Sequence, residues 1–102
     1  MKEIKTLVEN IHDETEDAEK YAKLAVKYRD TDKELSDTFA YLAEEELGHM
    51  NKLHANAVRL IRKARDSGVE VPAAMQAVWD WEHEKMMSNV AKVKTLLSTI
   101  KA

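Results

Sequence analysis

A row of residues at helical spacing constrains the fold of this chain more than any other feature. Its members recur at alternating intervals of four and three: Leu35, Phe39, Leu42, Glu46, His49 and Leu53. Residues at this spacing share one side of an α-helix, and a side rich in Leu and Phe is expected to be buried. Burying a carboxylate without a partner costs on the order of several kcal/mol. A metal ion, a cation or a hydrogen-bond network is therefore expected to meet Glu46.

The composition predicts one all-α domain over residues 1–102. The chain has two Gly, one Pro and no Cys, and 34% of its residues are charged. Few helix breakers and many charged residues are typical of a helical bundle, and the lack of Cys excludes disulfides and thiolate metal sites. The net charge of −3 gives no indication of nucleic-acid binding. No apolar run suits a signal peptide or a membrane span, so we expect a cytoplasmic protein without a membrane partner.

Three long helices are predicted, and signals at their ends place the boundaries. Their expected ranges are about residues 2–29, 32–66 and 72–100. Thr31 followed by Glu34 fits a capping box that opens the second helix, and Asp32 is a competing cap. Gly68 suits a left-handed cap after the second helix, and Pro72 suits the first position of the third. The predicted architecture is an antiparallel hairpin plus a third long helix.

A second carboxylate lies on the apolar row of the first helix. Glu14 occupies the position between Ile11 and Ala18 in a row that otherwise carries apolar residues. The short turn makes the first two helices antiparallel neighbours. Glu14 lies about 16 residues before this turn and Glu46 about 16 residues after it, so the two carboxylates are expected at the same height. His49 follows Glu46 within one turn, so three side chains that can bind a metal ion are expected to lie close together.

The third helix offers weaker signals. Its predicted apolar stripe contains Met75, Val78, Trp79, Glu82, Met86, Asn89, Val93, Leu96 and Ile100, widened by Trp81, His83, Val90 and Leu97. Counting back from the second turn places Glu82 and His83 opposite residues 55–57, away from the first cluster. His54 can approach His83, as part of a second site or as ordinary polar side chains. Trp79, Trp81, Met86 and Met87 are most simply packing residues.

Half of a two-metal ligand set is present in one chain. Glu-x-x-His places Glu46 and His49 on one helical face, and Glu14 would complete half of a site that needs four carboxylates and two histidines. Two-fold pairing of two hairpins would supply the other half. Oxygen and imidazole ligands suit iron or manganese, and zinc also binds such a set. Gly48, between the two ligands, either gives room for a symmetry-related helix or a substrate path, or is simply tolerated.

The first two helices resemble rubrerythrin-like members of the ferritin-like superfamily over residues 4–61. The resemblance rests on Glu14, Tyr21, Ala22, Leu24, Ala25, Leu35, Phe39, the run from Leu42 to Glu46, and His49. The chain lacks a fourth helix and a Cys motif, which excludes a rubrerythrin with its electron-transfer domain. Its plan is closer to the small encapsulated ferritins, in which a half-bundle dimerises to form the site.

This resemblance implies a ferroxidase that oxidises Fe(II) with dioxygen or peroxide at a site shared by two subunits. Glu14, Glu46 and His49 would be the catalytic residues and the ligands of two irons per dimer, and Tyr21 would orient a carboxylate. The expected assembly is a homodimer or higher homo-oligomer that forms a ferritin-like four-helix bundle. An encapsulating shell cannot be read from the sequence.

Two other interpretations stay open. In the first, the chain is a non-catalytic helical interaction or structural protein, and its buried Glu/His network sets the oligomeric state. In the second, the fold is ferritin-like but the metal is structural.

Overall fold

The computed structural model describes residues 2–100 and contains three α-helices. These are α1 (Lys2–Tyr28), α2 (Lys33–Asp66) and α3 (Ala73–Ser98). The prediction of an all-α chain with three helices is confirmed, and the bounds differ from the predicted ones by at most two residues. The molecule is elongated, with principal extents of 56 × 19 × 18 Å. Among the described residues, no helix is long and apolar enough to cross a membrane.

Local side-chain and backbone chemistry fixes the helix ends. The carboxylate of Asp32 accepts a hydrogen bond from the backbone N–H of Leu35 at 3.1 Å, so Asp32 rather than Thr31 caps α2. Gly68 has a φ of +78°, the left-handed conformation expected of the residue that follows a helix end. Pro72 precedes the first residue of α3 and lies at its N-cap position.

Small side chains form the centre of the contact between α1 and α2. The buried residues at this contact include Ala18, Ala22 and Ala25 of α1 and Ser36, Ala43 and Ala57 of α2. Met50 is the one large buried side chain in the same heptad row of α2. Because Ala and Ser extend little from the helix axis, the two helices can lie close together over the second half of α1, whereas its first half buries Ile4, Val8 and Ile11.

The third helix covers only one side of this hairpin and packs mainly against α1. Val93 and Leu97 bury their side chains against Ala18, Ala22 and Ala43. At the rim of this contact Lys92 donates a hydrogen bond to Glu19 at 2.6 Å. That hydrogen bond, with a second from Lys23, holds the pKa of Glu19 below its ordinary value.

Within residues 2–100, no helix covers the opposite side of the hairpin, and we call this side the open face. It consists of Leu7, Glu14, Tyr21 and Tyr28 of α1 with Leu35, Phe39, Leu42, Glu46, His49 and Leu53 of α2. All of these residues are half-buried except His49, which is exposed. His12 and Glu19 lie on one edge of α1 and form ion pairs with residues of α3. The heptad row of α1 that belongs to the open face lies on the opposite edge, away from α3. The α2 row from Leu35 to Leu53, which the spacing predicts to be buried, thus lies at one edge of the core. The buried row of α2 instead consists of Ser36, Ala43, Met50 and Ala57.

The predicted stripe of α3 also needs correction. Met86, Val93 and Leu97 are buried, whereas Val78, Trp81 and Met87 are 48%, 58% and 55% exposed. Trp81 and Met87 are therefore not core residues. The side chain of Lys85 lies 4.1 Å from the ring centroid of Trp81, a cation–π contact on the outer side of the helix.

A buried hydroxyl joins the start of α2 to the end of α1. Ser36 donates a hydrogen bond of 2.6 Å to the carbonyl of Ala25, which lies in the last turn of α1, where carbonyls lack intrahelical donors. We expect Ser36→Ala to lower the free energy of unfolding by about 1–2 kcal/mol, measured by urea unfolding. Thr38→Ala removes an exposed hydroxyl that bonds within its own helix and is the matched control. Equal effects of the two variants would contradict this role for Ser36.

Candidate functional site

The three predicted site residues meet at the middle of the open face. The Nδ1 atom of His49 lies 3.6 Å from Oε2 of Glu14 and 3.7 Å from Oε2 of Glu46. One possible ligand atom from each residue lies within 4.8 Å of the others. Glu14 is supplied by α1 and the other two by α2, at the height where counting from the turn places them. The structure therefore brings these side chains together, and their role as metal ligands stays a prediction.

The cluster contains a polar atom that the protein does not satisfy. The side chains of Glu46 and Glu14 are 18% and 27% exposed, whereas that of His49 is 50% exposed. The Oε2 atom of Glu46 is buried and has no hydrogen-bond partner among the described residues. Its distance to His49 exceeds that of a hydrogen bond. A buried oxygen in this condition favours the approach of a cation or donor from outside the chain.

The aromatic residues of the open face form a stack beside the cluster. The ring centroids of Tyr21 and Phe39 are 6.2 Å apart, and those of Phe39 and Tyr28 are 6.1 Å apart. The ammonium of Lys20 lies 5.6 Å from the Tyr21 ring. The contacts found for Tyr21 are thus ring contacts, and its predicted role in orienting a site carboxylate stays untested.

Gly48 lies between the two α2 residues of the cluster. A Cβ atom built there would meet no atom within 4 Å. The glycine therefore relieves no contact within the described chain. The space beside it is open toward solvent, which leaves both interpretations of this residue standing.

The third helix places its own polar residues elsewhere. No residue of α3 belongs to the metal-type cluster found within residues 2–100. The imidazoles of His54 and His83 do lie together, with ring centroids 5.1 Å apart, and His54 also stacks on Trp79 at 5.6 Å. These rings join α2 to α3 and form an aromatic contact between the helices.

One cluster of polar side chains, centred on His12, is not predicted from the sequence. Its Nε2 lies 3.1 Å from Glu16 and its Nδ1 lies 3.7 Å from Oε2 of Glu82, so it connects α1 to α3. The spacing of four between His12 and Glu16 was available as a signal. The contact with Glu82 required knowledge of the packing of α3 against α1.

The fold and the site define a class of protein. A helical hairpin with one covered side and one uncovered apolar face is typical of helical units that bind other helical units. The chain belongs to the family described as WDR72, alpha-solenoid domain, whose model matches residues 2–100. No curated protein and no solved structure matches the chain.

This family membership overturns the expectation drawn from the resemblance. The chain is not shown to be ferritin-like, and the ferroxidase and di-iron assignments that followed from that resemblance are wrong. The error has a physical source, since Glu-x-x-His places two side chains on one face of any α-helix. The non-catalytic helical interpretation agrees better with an α-solenoid domain. The cytoplasmic location stays a prediction.

The stack between α2 and α3 predicts a pH-dependent stability. Burial, and to a lesser extent the nearby charge of His83, lowers the pKa of His54 below its ordinary value of 6.5. The unfolded chain then binds this proton more readily than the folded chain, so stability is lost as the pH falls below 6.5. We expect His54→Phe to lose less unfolding free energy than the wild type between neutral and mildly acidic pH. Parallel pH profiles from urea unfolding would contradict this assignment.

Proposed function

We propose that this protein is a non-catalytic helical interaction unit whose open face binds the open face of a second copy. The observation that carries this proposal is the row of half-buried Leu, Phe and Tyr side chains on the side of the hairpin that α3 does not cover. Contiguous apolar surface of this kind on a soluble protein usually marks an interaction site. Units of an α-solenoid likewise bury their faces against neighbouring helical units.

The charge distribution along α2 supports a second copy as the partner. From Lys33 to Gly48 the helix has five carboxylates and one lysine, and from His49 to Asp66 it has five Lys or Arg residues and one carboxylate. When two copies of α2 pack antiparallel, the acidic half of each lies against the basic half of the other. Opposite potentials across an interface favour association and fix its register.

The sign of the charge changes at the level of the Glu/His cluster. A two-fold axis near residues 48 and 49 would place Glu45 of each copy at the height of Lys52 of the other. Both residues are exposed and lie in the heptad row beside the open face. The same axis would bring the two clusters near each other, where a polar group within an apolar interface selects one register. The resulting assembly is a four-helix bundle with one α3 on each outer side.

Charge reversal tests this pairing. We expect wild-type protein to sediment as a dimer, and Lys52→Glu to weaken association by roughly ten-fold, because each exposed ion pair contributes about 0.2–1 kcal/mol and symmetry doubles the effect. Adding Glu45→Lys should restore the dimer, since the exchanged charges again face each other. Analytical ultracentrifugation at low salt measures each dissociation constant.

Lys94→Glu is the matched control, because it makes the same charge change on α3, away from the open face. A monomeric wild type would refute the proposal. Failure of the double variant to recover would refute the antiparallel register.

A second proposal concerns the cluster itself: we propose that Glu14, Glu46 and His49 together bind one divalent metal ion per chain. The unsatisfied, buried Oε2 of Glu46 favours it. Two donors that each lie about 2.1 Å from an ion are at most about 4.2 Å apart. Both His49 distances fall inside this limit, and the whole set lies within 4.8 Å, so a small side-chain movement would place all three donors around one ion. Carboxylate and imidazole donors suit manganese, iron or zinc. In this proposal the ion has a structural role.

Metal titration tests the second proposal. We expect Zn²⁺ or Mn²⁺ to bind at one ion per chain in isothermal titration calorimetry. Glu46→Gln should weaken binding by about a hundred-fold, because loss of a group that orients or donates to a metal typically costs that much. Glu44→Gln, on the same helix but outside the cluster, is the control. Absence of binding would leave the cluster as a protein-only network, and the dimer measured in chelator separates this result from the first proposal.

A further inference from the structure

A cleft lies between the first half of α1 and the start of α3, separate from the open face. Its volume is about 460 Å³, within the range of about 300–1,000 Å³ that small-molecule sites occupy. Its lining shares no residue with the open face. The cleft lies where α3 begins beside α1, next to the contact of Met75 and Trp79 with Ile4 and Val8.

The floor of the cleft is apolar. It is formed by Val8 of α1 and by Ala74, Met75 and Val78 of α3. Val8 is buried, whereas Val78 is 48% exposed although it is a branched apolar side chain. An apolar group that covers Val78 would remove this surface from water, which is favourable in proportion to the area covered.

The rim of the cleft is acidic. Glu9, Asp13 and Glu82 contribute three carboxylates, and Lys5 contributes one ammonium. The ion pair of Lys5 with Glu9 measures 3.9 Å between two side chains that are 71% and 66% exposed, so it neutralises little of this charge. A cleft with low-dielectric walls and an excess of carboxylates attracts cations.

Glu82 is the carboxylate best placed to bind a cation within the cleft. Its side chain is 18% exposed, and its oxygens lie 3.7 Å from His12 and 3.8 Å from Lys85. These are ion-pair distances that exceed hydrogen-bond length. Lys85 is in addition held over the outer face of Trp81. Glu82 can therefore accept a shorter, charge-assisted hydrogen bond from a ligand ammonium.

We propose that this cleft binds an organic amine with an apolar body. The apolar part lies on Val8, Met75 and Val78, and the ammonium lies between Glu82 and the carboxylates of Glu9 and Asp13. The two parts of the lining select for both features at once. An apolar acid would place its carboxylate against the acidic rim, and a hydrophilic amine would leave the floor uncovered.

Three probes with one apolar body and different head groups test the proposal on the full chain. Phenylbutylamine, phenylbutanol and phenylbutyrate are titrated, and binding is followed by the amide chemical shifts of the lining residues. We expect the amine to bind roughly ten-fold more tightly than the alcohol, because a hydrogen bond to a charged group contributes more than a neutral one. The acid should bind most weakly.

Variants of the lining residues test the contribution of the Glu82 carboxylate to binding separately from that of the apolar floor. Glu82→Gln should remove most of the preference for the amine over the alcohol, with Glu9 and Asp13 retaining the rest, and should leave alcohol binding unchanged. Glu84→Gln, on an exposed position of the same helix, should alter neither affinity. Val78→Lys should abolish binding of all three probes. Equal affinity for amine and acid, or no saturable shifts at the lining with the amine, would overturn the proposal. Lys52→Glu, which tests the dimer, should leave amine binding intact.

Discussion

The contact between α1 and α2 determines most of this structure. Ala18, Ala22 and Ala43 bury completely yet occupy little volume, so the half of the hairpin near its turn is narrow. Toward the start of α1 the contact is filled by larger residues, among them Ile11 and Met50, and the remaining apolar residues lie at its two edges. One edge buries its residues under α3, and the other, with its Leu, Phe and Tyr side chains, forms the open face. An unequal distribution of side-chain size across each helix thus produces both the monomer core and its uncovered side.

The same contact positions the polar cluster. Two antiparallel helices joined by a short turn place residues equidistant from the turn at equal height, which aligns Glu14 with Glu46. The buried neighbours of Glu14 and His49 along the chain are Thr15 and Met50, and Thr15 donates a hydrogen bond of 2.8 Å to the sulfur of Met50. This contact joins the two helices at the height where Glu14 lies 3.6 Å from His49. In this arrangement the Oε2 atom of Glu46 is buried and has no hydrogen-bond partner among the described residues. This oxygen distinguishes the open face from a purely apolar surface.

The sequence predicted the helices and the height of the cluster because both depend on spacing along the chain. It did not identify the centre of the core, since hydrophobic periodicity weights Leu and Phe above Ala and Ser, whereas the buried row of α2 consists of Ser36, Ala43, Met50 and Ala57. Periodicity therefore places the row containing Leu42 and Glu46 at the centre, and the structure places it at an edge. Trp81 was assigned to the core for the same reason, because its size suggested burial. The contact of His12 with Glu82 depends on how α3 packs, which no local pattern records.

An apolar face alone would not define a single assembly. Rows of Leu and Phe at heptad spacing can pair in several registers that differ by one heptad, with similar burial in each. A polar cluster at one height costs interface energy in every register, but the cost is smallest where each cluster meets another polar group or an ion. The charge along α2 changes from negative to positive at that same height. Two features, one short-range and one long-range, which share only Glu46, therefore favour one antiparallel register, and this agreement is the strongest physical reason for proposing the open face as an interface.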